Sequence, residues 1–186
     1  CALGVQESPG TEFTFSEPIE VMGSSDVRLT DLDLVALPTE VAADELYWAL
    51  TVRRGVKANT YQGNLNSTST ELYALRLGAT GELSASPGLV LCEDEPPAGW
   101  NLCGRAALAT KPGDSTASVV VAYTTYSDSS SNDPVISEYM LDVPSFSWND
   151  TPNFEFALEG VKVWDLDVAA AGDPSQPDWF LVGIEE

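Results

Sequence analysis

The chain has 186 residues, enough for one ordinary domain. Its 29 acidic residues against 8 basic ones give a formal net charge of −21, which argues against a nucleic-acid backbone or an anionic membrane surface as partner. No histidine is present, and this excludes Ser-His-Asp and Cys-His nucleophiles, imidazole metal sites and imidazole acid–base chemistry.

Residues 1–12 are rich in Gly, Ser, Pro and Glu and read as a flexible tether. From residue 13 to 186 short apolar runs alternate with turn clusters, and no stretch of helical period interrupts them. The predicted strands, in chain order, are Phe13–Val21, Asp31–Leu37, Glu45–Val52, Glu71–Leu77, Leu89–Cys92, Arg105–Thr110, Ser118–Thr125, Val135–Val143, Phe154–Leu158, Val163–Ala170 and Trp179–Ile184. Three runs, Glu45–Val52, Ser118–Thr125 and Asp178–Ile184, are almost continuously apolar, as befits strands covered on both faces. An all-β, antiparallel chain is expected.

These strands recur as sets. Asp31-Leu-Asp-Leu-Val-Ala-Leu37 followed by Asp44–Leu50 matches Asp165-Leu-Asp-Val-Ala-Ala-Ala171 followed by Asp178–Gly183. Arg105-Ala-Ala-Leu-Ala-Thr110 with Ser118–Tyr123 is a weaker middle copy. The outer copies begin 165 − 31 = 134 positions apart, or 67 per repeat. A third strand follows in the first two copies (Glu71–Leu77, Ile136–Asp142), and then a fourth (Pro87–Cys92, Asn153–Leu158). Four antiparallel strands per repeat is the arrangement of a β-propeller blade, and an ordinary β-sandwich or barrel is the alternative. Glu71-Leu-Tyr-Ala-Leu-Arg-Leu77, Gly81 and Ser86-Pro-Gly-Leu-Val-Leu91 resemble the repeat-containing propeller lipoproteins of exported bacterial proteomes. About 2.5 blades are accounted for, so the domain is expected to be incomplete without further chain or partner chains. Phe13–Val21 and Trp179–Ile184 would each present an edge for another chain to cover.

Cys1, followed by Ala2, Leu3 and Gly4, resembles the mature end of a bacterial lipoprotein, and the resemblance implies a lipid on that residue. Membrane contact is expected through this lipid alone. Cys92 and Cys103 enclose a short loop, and two such cysteines in an exported protein predict a disulfide. A two-thiolate metal site would need two further soft ligands that the chain does not supply.

Asp31/Asp33 and Asp165/Asp167 are carboxylate pairs at i, i+2, on one face of a strand, and are candidate cation-binding residues with calcium as the ion. Solvated strand ends repeated with the repeat are the plainer account. Ser127–Asp133 reads as a hairpin loop and Glu93-Asp94-Glu95 as an acidic loop. Trp48, Trp164 and Trp179 lie in apolar strands and read as core, whereas Trp100 and Trp148 lie in predicted loops and are candidate ligand contacts. The sequons at Asn66 and Asn149 matter only in a eukaryotic secreted protein.

The expectation is a non-catalytic, extracytoplasmic, lipid-anchored scaffold or binding subunit of a larger assembly, periplasmic or on the cell surface, without a resident cofactor. The alternative is a glycosidase-like propeller hydrolase working through carboxylates, the acid–base chemistry this composition supports.

Overall fold

A computed structural model describes residues 27–38, 45–57, 65–94, 103–111, 113, 116–128, 131–158, 161, 163–173 and 176–185. Among them every regular element is a strand, and every pairing is antiparallel. The predicted tether, the predicted strand Phe13–Val21, Cys1 and Trp100 lie outside the described residues.

The first sheet is a meander of β1 (Val27–Ala36), β2 (Leu46–Lys57) and β3 (Leu65–Leu77), closed by β4 (Leu83–Ala85) and β5 (Leu89–Asp94), both on β3. The second repeats it with β6 (Ala106–Ala109), β7 (Ser118–Asp128) and β8 (Ser131–Asp142), closed by β9 (Ser147–Trp148) and β10 (Phe154–Ala157), both on β8. The third is the hairpin β11 (Val163–Asp173) and β12 (Gln176–Glu185).

The fourth strand of each full set, expected as one run, is therefore two short ones. β4 and β9 are additions to the sequence reading, and both follow a tight turn. Gly81 sits at φ 86° and Phe146 at φ 51° in these turns, so glycine fits the first without strain while Phe146 is held there by its surroundings. Pro87 and Pro152, lacking an N–H, fall in the breaks between the pieces. The matching offsets, 147 − 83 = 64 and 154 − 89 = 65, make the outer strands a true structural repeat. The Ser127–Asp133 segment is also shorter as a loop than expected, because β7 runs to Asp128 and β8 starts at Ser131.

Alternation along β7 explains the layering. Val119, Val121 and Tyr123 pack against Leu37, Tyr47, Ala49, Leu72 and Ala74 of the first sheet. Val120 and Ala122 point the other way, onto Val163, Leu166 and Val168 of the third. The second sheet is thus covered on both faces, which is why Ser118–Tyr123 reads as a continuous apolar run. The Cys92–Cys103 disulfide joins β5 to the approach to β6, with the sulfurs 2.07 Å apart and both residues buried.

Candidate functional site

The first strands of the three sheets stand side by side, with β6 in contact with β1 on one flank and β11 on the other. Asp31, Arg105 and Asp165 hold equivalent places in the repeat, at or just before the start of its apolar run. Asp31 is the extra residue of a bulge between Thr30 and Leu32, at φ 51°, a conformation aspartate tolerates better than most residues. The bulge turns its carboxylate onto two cations, Arg53 Nη1 at 3.2 Å and Arg105 Nε at 3.7 Å. The same Arg105 reaches across the middle sheet to Asp165, with Nη1 at 3.4 and 3.2 Å from the two oxygens. One guanidinium therefore links the leading edges of all three sheets.

Two residues further along, Asp33 accepts the N–H of its own neighbour Leu34 at 2.9 Å and the N–H of Leu108 in β6 at 2.7 Å. Leu108 is on the edge of its sheet, so its N–H has no strand to pair with on that side. A buried edge donor of this kind must find an acceptor from elsewhere. Thr51 and Thr70 complete the join, donating to the carbonyls of Ala106 at 3.3 Å and Gly104 at 2.9 Å. Gly104 is needed here because a Cβ at this position would lie 2.1 Å from Thr124 Oγ1, which accepts the Gly104 N–H at 3.1 Å.

Asp167, the counterpart of Asp33, accepts the N–H of Val168 at 2.8 Å, and its side chain is exposed. Ala107 takes this place in the middle strand. The predicted carboxylate pairs are thus brought onto neighbouring strands, but their oxygens engage arginines and backbone donors of the protein. Among the described residues no three Cys, Asp or Glu side chains gather as a metal-holding group.

The other buried carboxylates are also engaged. Glu71 accepts from Ser69 at 2.7 Å and from the Tyr73 hydroxyl, and lies 3.6 Å from Arg54. Burial first, and then the hydrogen bond and charge of Glu71, push the Tyr73 phenol up from its ordinary value of 10.0 to about 12. Glu138 pairs with Lys111 and accepts from Ser118 at 3.2 Å and Asn153 at 3.4 Å. A shallow groove of about 160 Å³ opens between the second and third sheets, lined by Pro134, Leu158, Leu166 and Leu181 among others, with no carboxylate on its wall.

Trp148, read as a loop aromatic available to a ligand, is instead on β9 and only 4% exposed, packed within the cluster between the first two sheets. The short β9 pairing with Leu141 turns the indole inward, where burying so large a ring is strongly favourable. Arg53, Arg105, Thr51 and Thr70 were not singled out by sequence. For Arg105 a signal was present, since it replaces an aspartate at the same position of the repeat.

No family model, curated protein or solved structure matches this chain.

Proposed function

We propose that this chain is a non-catalytic, β-propeller-like scaffold or binding subunit, working outside the cytoplasm and tethered through a lipid on Cys1. The observation that carries the reading is the stacking of two meandering sheets and a hairpin with their first strands adjacent and bridged by Arg105. In a sandwich the middle layer would not be flanked by two others in chain order, each joined at the same edge. Propeller blades are built in this way, from inner strand to outer strand, and then the next inner strand. The buried disulfide supports an oxidising compartment. The carboxylates at the inner edge serve as acceptors in the joins between sheets, which favours a structural role over glycoside hydrolysis.

The test is a pair of spin-label distances in a Cys1→Ser background. One pair is placed on the first strands, at Leu34 and Asp167, and one on the second strands, at Arg54 and Val182. Blades that fan from an axis place the second pair further apart than the first. Equal separations would mean parallel layers and would overturn the propeller reading. Intact mass of the chain from its native source tests the anchor, since an unmodified Cys1 would remove it.

A further inference from the structure

We infer that the outward face of the third sheet docks a further β-sheet from a partner chain whose leading strand carries a cation followed, two residues later, by a small uncharged residue. The inference rests on the scaffold reading above and specifies its partner.

Within the chain, two kinds of join alternate. Asp33 on β1 caps its own strand and also the next, because Ala107 leaves the Leu108 N–H without a local acceptor. The join from the second sheet to the third has no such clasp. There the facing residues are Ala107, Ala109, Val120 and Ala122 against Val163, Leu166 and Val168, and Asp167 caps its own Val168. Charge alternates in step, as Asp31, Arg105 and Asp165.

The third sheet therefore repeats the first. Its alternation puts Leu166 and Val168 on the middle sheet and Asp167 and Ala169 on the opposite face, while Asp165, near the start of the strand, reaches Arg105 of the middle sheet. Asp167 keeps the half of the Asp33 clasp that lies within its strand. Among the described residues its second oxygen has no partner. Asp31 is flanked by two arginines, whereas Asp165, among the described residues, meets one, Arg105, and accepts the Leu166 N–H at 3.0 Å, with its side chain 40% exposed. Beside Asp167, in register on β12, Val182 is 65% exposed. The half-exposed Asp165 at the margin of this face offers a carboxylate to a further cation, and the face itself offers a second carboxylate to an edge N–H with an apolar contact beside it.

A second copy presenting β1 does not fit. Its Leu34 N–H is already taken by Asp33, and Asp31 would bring like charge against Asp165. A strand of the β6 type satisfies all three requirements.

The probe is the chain's own β6 sequence as a peptide, Gly-Arg-Ala-Ala-Leu-Ala-Thr-Lys, titrated into the isotope-labelled full chain and followed through backbone amide shifts. Shifts are expected at Asp165, Asp167, Val168 and Val182, shrinking as salt screens the pair. A peptide with Glu in place of the arginine should bind at least roughly fivefold more weakly, as should Asp167→Asn in the chain. Equal binding of both peptides, shifts on another surface, or no shifts would overturn the inference. Concentration-dependent self-association abolished by Asp167→Asn would also overturn it, by giving the face to a second copy. Either failure leaves the label distances, and with them the scaffold reading, untouched.

Discussion

Removing the Asp33 carboxylate tests the inter-sheet clasp directly, and Asp167 supplies the internal control. In Asp33→Ala the N–H of Leu108, a residue 7% exposed, loses its acceptor at 2.7 Å with no strand to replace it. A buried donor left unsatisfied costs about 1–3 kcal/mol. The Leu34 N–H is at an exposed bond and recovers a water, so it adds little. The expected loss is about 2 kcal/mol, or roughly 4–8 °C in Tm for a chain of this size. Asp33→Asn, which keeps one acceptor oxygen, should lose less. Asp167→Ala should cost less than Asp33→Ala, because the exposed Asp167 side chain caps one N–H of its own strand and water can take its place. Urea unfolding followed by tryptophan fluorescence measures all three. Equal effects of Asp33→Ala and Asp167→Ala would refute the clasp and the alternation of joins built on it.

Opening the Cys92–Cys103 bridge, by Cys92→Ser with Cys103→Ser, should cost about 3 kcal/mol from the entropy of an 11-residue separation, read as a shift in the urea midpoint. Gly104→Ala should destabilise by about 1–3 kcal/mol, since the new methyl meets the β-branched and buried Thr124; a neutral result in thermal melts would mean that β6 can shift away from it. Tyr73 gives a pH signature. Its folded pKa of about 12 lies above the ordinary 10.0, so the stability it contributes is complete below pH 10 and is lost as pH rises toward 12. Melts between those limits should decline less steeply in Tyr73→Phe than in the parent chain.

Much of the layering was legible because alternation and repetition were both strong. The continuous apolar run from Ser118 to Tyr123 announced a strand buried on both faces, and β7 is that strand, serving two separate clusters. The short closing strands were not legible. β4 has three residues and β9 has two, and such lengths carry no period of their own. They exist because the preceding turns place them back on β3 and β8. Trp148 was misread for the same reason: its segment looks like a loop until pairing with Leu141 turns the indole into the core. The uneven spacing of the leading strands, 105 − 31 = 74 against 165 − 105 = 60, also made the middle copy the weaker match. The longer first interval contains the loop closed by the disulfide.

The carboxylates illustrate a different limit. An Asp-x-Asp pair on a strand looks the same in sequence whether it holds a cation, protonates a substrate or caps a backbone. Only the neighbouring strand distinguishes these roles, and here the distinction turns on what stands at 105 and 107. Arginine at the first position lets one cation join three carboxylate-bearing or carboxylate-facing edges. Alanine at the second leaves an N–H that Asp33 can reach. Had residue 107 been aspartate, it would have capped Leu108 itself, as Asp167 caps Val168, and the clasp from the first sheet would have had no donor. The Asp33 of the first copy and the alanine of the middle copy are thus complementary halves of one joint. The departures from strict repetition, which made the middle copy seem degenerate, are what allow successive sheets to lock.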